Sequence, residues 1–172
     1  MNLRLISPSI DYANSFRELL IEDAEAGQAI PWDPAIDCSD EELHSRIVLM
    51  QQGSWEPVAN DRPPIPTSHF WWVDDSNLIG RISLRHELVG EFGESHGHIG
   101  YGVRPTFRGR GHATLMLQAT LQQAFDLGIT STLITCDPDN LASRTVIENC
   151  GGVLRDQYRN EVLRFDVPTS AT

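Results

Sequence analysis

A glycine- and arginine-rich stretch in the second half of the chain has the composition of an anion-binding turn. It runs from Gly100 to Ala113 and reads GYGVRPTFRGRGHA. The pattern predicts a strand, a tight glycine turn, and a helix that begins near His112 and continues to about Leu127. The first N–H groups of a helix lack internal partners and carry partial positive charge, so a phosphate fits there. Three arginines in the stretch would add forked donors for phosphate oxygens: Arg104, Arg108 and Arg110.

Two familiar nucleotide-binding loops do not fit this stretch. No Lys-Ser or Lys-Thr follows the glycines, as a P-loop requires. There is no G-x-G-x-x-G either, and the nearest acidic residue downstream, Asp126, lies within the predicted helix rather than at a strand end. A turn with solvated arginines and no ligand is the simpler alternative.

A second block follows about thirty residues later. Residues 132–136 predict a strand, and residues 137–144 (DPDNLASR) open a short helix that ends at Cys150-Gly151-Gly152. Asn140 and Ser143 lie at the start of this helix, where Asp139 or Asn140 would serve as a cap even without a ligand.

The two blocks, in this order and spacing, resemble the Gcn5-related N-acetyltransferase (GNAT) superfamily. The diagnostic loop of that family is Arg/Gln-x-x-Gly-x-Gly/Ala, which here is Arg108-Gly109-Arg110-Gly111-His112-Ala113. The resemblance extends from about His96 to Val153, and the N-terminal half matches only in its order of elements. The whole run is most similar to a bacterial acetyltransferase group that carries His-Ile-Gly-Tyr before the loop.

The resemblance implies acetyl-coenzyme A as co-substrate and a primary amine as acceptor. The pyrophosphate would lie on the glycine loop, and the pantetheine arm would pair with the backbone of the preceding strand. The residues implied for cofactor binding are Tyr101, Val103, Arg108, Gly109, Arg110, Gly111, His112, Ala113, Thr114, Asn140 and Ser143.

Acetyl transfer requires a deprotonated amine, which has a free lone pair, and a hydrogen-bond donor to the oxyanion of the tetrahedral intermediate. In the family the oxyanion donor is a backbone N–H, here that of Tyr101. His98 is the first choice for the base, because relatives often carry a Glu at that point of the strand and imidazole titrates near pH 6.5. Glu87 is the second choice. A hydrogen-bonded structural role for His98, with deprotonation through water, is the alternative.

The general acid of many relatives is a tyrosine in the helix of the second block, and Ile147 occupies that position here. Tyr158 is a substitute from the next strand region. A thiol with a pKa of about 8.5 is also a fair leaving group without help.

Composition limits the class of protein. The chain has 172 residues, 40% of them hydrophobic and 22% charged, which predicts a single globular domain over 1–172. The formal net charge of -11 disfavours nucleic acid and anionic membranes as partners. Neither a membrane span nor a signal peptide is recognisable, so a cytoplasmic protein is expected. Oligomeric state is open, with a homodimer among the options.

No metal site is expected. The three cysteines, Cys38, Cys136 and Cys150, have the spacing of neither a zinc site nor a disulfide framework. His96 and His98 alternate along a predicted strand and would suit a metal, but the sequence shows no third ligand.

The order of elements predicts an α+β (mixed α/β) fold. Strands are expected at 3–6, 68–73, 78–85 and 96–103, and helices at 11–26 and from a Ser39–Glu42 capping box to Met50. Proline-rich loops are expected at 30–34 and 53–66. Antiparallel strands followed by β-α-β-α-β predict a central mixed, mostly antiparallel sheet flanked by helices, as in the GNAT fold.

The sequence therefore predicts an N-acetyltransferase acting on a primary amine. The acceptor is open among a small polyamine, an amino acid, an aminoglycoside-like compound and a protein N-terminus. An acceptor site is expected around 32–42. A noncatalytic acyl-coenzyme A-binding module or sensor on the same fold is the alternative, and the missing helix-borne tyrosine favours it.

Overall fold

The computed structural model describes residues 2–28, 34, 36–53, 65–90 and 92–169. Within these residues one seven-stranded sheet forms the centre of the molecule. The strands are β1 (Arg4–Ile6), β2 (Thr67–Val73), β3 (Leu78–Arg85), β4 (Ile99–Val103), β5 (Ser131–Cys136), β6 (Val153–Tyr158) and β7 (Val162–Pro168). The α-helices are α1 (Ala13–Glu25), α2 (Asp40–Gln51), α3 (His112–Asp126) and α4 (Leu141–Asn149).

The sheet has the order β1-β2-β3-β4-β5-β7-β6. Its neighbouring strands are antiparallel except for β4 and β5, which are parallel. The predicted mixed, mostly antiparallel sheet flanked by helices is therefore confirmed. The predicted capping box of α2 is present, with the Ser39 hydroxyl accepting from the Glu42 N–H and the Glu42 carboxylate accepting from the Ser39 N–H.

Helices cover both faces of the sheet. The face of α1 and α2 is packed by residues that include Phe16, Leu19, Ile47, Trp71 and Leu78, with the rings of Phe16 and Trp71 5.1 Å apart. The face of α3 and α4 is packed by residues that include Ile99, Met116, Leu117, Ile147 and Phe165. These apolar layers hold the strands whose ends form the site described below.

The connection before β4 differs from its prediction. The expected strand over 96–103 begins only at Ile99, because Phe92–His96 form a π-helical turn and Gly97 adopts a left-handed φ of 65°. His96 and His98 therefore do not alternate along one strand. The proline-rich loop predicted at 30–34 lies outside the described residues except for Pro34, and most of the one predicted at 53–66 does as well.

Strands β4 and β5 diverge beyond a single paired position. Among the described residues their pairing is limited to Ile99 opposite Ile134. The N–H of Arg85 donates to the carbonyl of His98 at 2.8 Å, and that of Arg104 donates to Ile79 at 2.9 Å. Because hydrogen bonding alternates along an antiparallel pair, the backbone groups of Tyr101 and Val103 face away from β3, into the gap toward β5.

We expect Gly97 to be needed where the two strands meet. A Cβ at this position would lie 2.4 Å from the Leu133 carbonyl oxygen, in addition to the left-handed φ. Gly97→Ala should therefore lower the unfolding free energy by about 1–3 kcal/mol more than Gly128→Ala. Gly128 is the matched control, since its φ is +81° and a Cβ there meets nothing within 4 Å. Urea denaturation measures both variants, and equal losses would show that the contact with Leu133 costs nothing.

Acid should destabilise the protein through His69. Burial, with a contribution from the Arg85 charge, lowers the pKa of His69 to about 4. The unfolded chain then binds a proton near pH 6.5 that the folded chain refuses, so stability is lost as pH falls from about 6.5 toward 4. His69→Gln should reduce the loss of unfolding free energy between pH 7 and pH 5 by about 2 kcal/mol. His44→Gln, at an exposed position, is the control for the substitution of a histidine by glutamine.

Candidate active site

A cavity of about 590 Å³ opens where β4 and β5 diverge. Its walls come from β4 and β5, from the start of α4, from the π-helical turn before β4, and from the turn between β6 and β7. The cavity is thus built by elements that are distant in sequence and meet only because the sheet places β7 and β6 beside β5.

The cavity has one half on each face of the sheet. Ile99 and Tyr101 belong to the side packed by α3 and α4. Arg85 lies on the opposite side, in phase along β3 with Arg81, whose guanidinium bonds Asp23 of α1 at 2.8 Å. Two molecules that entered from opposite faces of the sheet would therefore meet in the gap between β4 and β5.

Tyr101 links β4 to the start of α4. Its hydroxyl shares a 2.8 Å hydrogen bond with the Ser143 hydroxyl. Burial raises the pKa of Tyr101 to about 12, so the phenol keeps its proton at neutral pH. Asn140 caps α4, because its side-chain oxygen accepts from the Ser143 N–H at 3.0 Å. The capping role anticipated for Asn140 is therefore present. Asn140 and Ser143 both line the cavity.

Ile147 is a core residue. It is fully buried on α4 and packs with the apolar layer of that face. The position that the resemblance assigns to a tyrosine acid therefore carries no polar group. Tyr158, the substitute considered from sequence, does line the cavity from the end of β6.

The glycine loop forms the start of α3, as predicted. Gly111 precedes the helix with a φ of 80°, and Gly109 has a φ of 73°. A Cβ added at either glycine would meet nothing within 4 Å, so the loop is open on the side where side chains are missing. The first N–H groups of α3, from His112 to Thr114, point out of the helix at this end. This arrangement can bind an anion.

The three arginines of this stretch do not form the expected cluster. Arg104 is buried and pairs with Glu18 at 3.0 Å and with Glu22 at 2.7 Å, so it ties the loop to α1 instead of facing a ligand. Its role as a phosphate ligand is therefore corrected.

Arg108 and Arg110 remain beside the loop, with partners of their own. The Arg108 Nε donates to the Val103 carbonyl at 2.8 Å and the Arg110 guanidinium donates to the Thr106 carbonyl at 3.0 Å. A pantetheine arm pairing with Val103 would have to replace the first of these bonds.

His112 can contribute only its backbone to a ligand. Its ring is buried, and its Nδ1 accepts from the indole N–H of Trp72 at 3.3 Å. Burial, together with the Arg110 charge, lowers the pKa of His112 and favours the neutral ring that this bond needs.

The two bases proposed from sequence do not line the cavity. The Nδ1 of His98 accepts from the Leu133 N–H at 2.8 Å, which leaves the proton of the neutral ring on Nε2. Burial lowers the pKa of His98, consistent with a neutral ring. Glu87 is exposed in the connection after β3. This geometry favours the structural role for His98, and catalysis by His98 or Glu87 stays a prediction.

Three other titratable groups that can accept a proton do line the cavity: His96, Asp137 and Glu161. Sequence reasoning considered His96 only as a metal ligand and did not select the other two. The signal was weak because the three residues come from separate turns that only the sheet brings together. In the described ranges, no group of three or more metal-binding side chains occurs.

The comparisons with known proteins agree with this geometry. The sequence matches the acetyltransferase (GNAT) domain family over residues 1–153. A search of curated proteins gives no significant match. No helix in the described residues is long and apolar enough to cross a bilayer.

Solved structures of similar fold include acetyltransferases with coenzyme A bound. The microcin C7 self-immunity acetyltransferase MccE, in complex with acetyl-CoA and AMP, is 16% identical, with a TM-score of 0.67, and the match covers 96% of this chain and 92% of that one. RimL, a ribosomal L7/L12 α-N-protein acetyltransferase in complex with coenzyme A, is 20% identical, with a TM-score of 0.66 and coverage of 100% and 97%. Mycobacterium smegmatis RimJ, in complex with CoA-disulfide, is 18% identical, with a TM-score of 0.66 and coverage of 96% and 81%.

The mixed sheet flanked by helices and the family match together define the chain as an acyltransferase. The chain belongs to the GNAT acetyltransferase family. The resemblance inferred from its two motif blocks is thereby confirmed.

The two roles considered for His98 can be separated by substitution. In His98→Asn the side-chain oxygen can still accept from the Leu133 N–H, whereas His98→Leu leaves that N–H without an acceptor. For a structural histidine, only the leucine variant should lose unfolding free energy, by about 1–3 kcal/mol, and the asparagine variant should keep its rate. For a catalytic base, both variants should lose about a hundredfold in rate. Thermal unfolding and initial rates at saturating substrate measure the difference.

Proposed function

We propose that this chain is an acetyl-coenzyme A-dependent N-acetyltransferase that transfers an acetyl group to a primary amine. The single observation that carries the proposal is the gap between β4 and β5, toward which the backbone groups of Tyr101 and Val103 turn and where Tyr101 lines an open cavity. We further propose that residues 1–172 act as one domain and that the protein works in the cytoplasm.

The residues present fit the cofactor. The loop offers the left-handed glycines Gly109 and Gly111, open space beside both, and the unpaired N–H groups of a helix start for a pyrophosphate. The β4 backbone that faces the gap offers the N–H and carbonyl groups of Tyr101 and, once the Arg108 Nε is displaced, the Val103 carbonyl, which suits an amide-containing arm. Acetyl-coenzyme A supplies the acetyl group as a thioester.

The chain would then handle the charge of the reaction with its backbone. The Tyr101 N–H faces the gap, where it can donate to an oxygen that becomes negative when the amine attacks. A backbone donor in a strand is already oriented, so no rearrangement is needed as charge develops.

Protons would be moved by side chains of the cavity. The hydroxyls of Tyr101 and Ser143 are hydrogen-bonded to each other and stay protonated at neutral pH, so they can donate to a departing thiolate. We assign removal of the amine proton to the lining groups His96, Asp137 or Glu161, directly or through water.

A noncatalytic acyl-coenzyme A sensor is the second candidate, favoured by the fully buried Ile147 at the tyrosine position. An amine library incubated with acetyl-coenzyme A and followed by free-thiol release decides between the two. An enzyme should release thiol with at least one acceptor in proportion to enzyme concentration. Coenzyme A binding without release for any amine would favour the sensor.

Coenzyme A binding should depend on the start of α3. In Gly111→Asp, a carboxylate at the N-cap can accept from the first N–H groups of the helix and repel a pyrophosphate. The dissociation constant for coenzyme A should rise by about 10- to 100-fold, the range expected for lost charge-assisted hydrogen bonds. Calorimetry measures the change.

Two variants control for side effects of that substitution. Gly111→Ala has the same left-handed backbone without the charge and should bind much more tightly than Gly111→Asp. Gly128→Asp places the same charge at a left-handed glycine beyond the other end of α3, with φ +81°, and should bind as the wild type does. Wild-type affinity in a folded Gly111→Asp protein would refute binding at this loop.

A further inference from the structure

The cavity carries charges of both signs. Arg85 enters it from the end of β3 and Arg159 from the turn between β6 and β7. Asp137 and Glu161 supply the negative charges. Arg85 lies on the opposite face of the sheet from Tyr101, so the acceptor of the proposed reaction would bind on the Arg85 side.

Arg85 is held in place by two strands. Its backbone N–H donates to the His98 carbonyl at 2.8 Å, and its guanidinium donates to the Gly97 carbonyl at 3.1 Å. Burial lowers the pKa of Arg85, and its positive charge contributes to the lowered pKa values of His69 and His98. A partly buried guanidinium on a rigid strand end is suited to bind a carboxylate through two parallel hydrogen bonds.

Arg159 lies in a turn whose backbone conformation is unfavourable for a residue other than glycine. It and Asn160 adopt left-handed φ values of 50° and 59°, which glycine adopts far more readily. The turn thereby places the Arg159 guanidinium 4.9 Å from the centre of the Tyr158 ring, on the wall of the cavity. A sequence with glycine here would form the same turn without the positive charge.

We propose that the acceptor is a free amino acid, whose carboxylate is bound by Arg85 and Arg159 while its amine faces Glu161 and Asp137. This inference rests on the proposed function. In the reaction the amine nitrogen forms a bond to the acetyl carbon and the carbon–sulfur bond breaks. The acceptor enters as an ammonium ion and first gives one proton to solvent, directly or through the proton-accepting groups of the cavity. The second proton, lost from the nitrogen as the amide forms, ends on the coenzyme A thiol.

Matched acceptor pairs test the carboxylate requirement. L-Alanine and β-alanine are compared with L-alaninamide and β-alaninamide, and spermidine represents acceptors without an anion. With acetyl-coenzyme A and free-thiol detection, kcat/KM should be about 10- to 100-fold higher for each acid than for its amide. The amides have the less basic, more readily deprotonated amines, so a preference for the acids cannot arise from amine basicity.

Substitutions identify the residue that binds the carboxylate. Arg85→Gln should abolish the preference by raising KM for the acids, with the amides and the affinity for coenzyme A unchanged. Arg85→Lys should retain part of the preference, and Arg159→Gln, on an exposed turn, should reduce it even if Arg85→Gln fails to fold. Arg4→Gln is the matched control at the other edge of the sheet and should behave as the wild type does.

The outcomes separate this inference from the proposed function. Transfer that is best with spermidine or with the amides overturns the inference and leaves the acetyltransferase activity standing; a preference for the amides would indicate a peptide N-terminus. Equal losses on acids and amides in Arg85→Gln also overturn it. If no acceptor releases thiol, calorimetric titration of the same acid and amide pairs onto the coenzyme A-bound protein tests the inference instead. Equal affinity for an acid and its amide overturns it.

Discussion

The functional geometry of this protein depends on how β4 and β5 meet. They pair at Ile99 and Ile134 and then diverge, with Gly97 packed against the Leu133 carbonyl just before the junction. Parallel neighbours normally continue to bond along their length, so a pair that stops leaves the backbone groups of Tyr101 and Val103 facing the gap, where the Val103 carbonyl accepts from the Arg108 Nε. The site is therefore built first from backbone and only then from side chains.

The arginines show how an acidic protein distributes a small number of positive charges. Thirteen Lys and Arg stand against twenty-four Asp and Glu, yet Arg81 and Arg104 are used to fix α1 to the sheet through Asp23, Glu18 and Glu22. Burial raises the pKa of Glu22, but hydrogen bonds from Thr106 and Arg104 outweigh this effect and hold the pKa below its usual value. These ion pairs orient the helix start that carries the glycine loop.

Elements encoded by neighbouring residues were predictable from the sequence, whereas contacts between residues far apart in the chain were not. The strand, glycine turn and helix of 100–127 are encoded by neighbouring residues, and their prediction is confirmed. The partners of Arg104 lie more than eighty positions away, so nothing near it in sequence showed that it was already used. His98 likewise bonds Leu133, 35 positions away, while His96 lines the cavity from the π-helical turn that ends just before the left-handed Gly97.

The two-sided cavity also constrains where specificity can evolve. The half on the α3 side is formed by β4 with Tyr101 and by the start of α4, where substitutions would disturb the sheet or the Asn140 cap. The half on the α1 side is formed by the ends of β3 and β6 and by two turns, whose side chains can change without altering the sheet. Arg159, in a left-handed conformation, lies on the wall formed by these turns. Because glycine would form the turn between β6 and β7 with less strain, the arginine there is consistent with a function for its side chain at the cavity, as the proposal above assigns it.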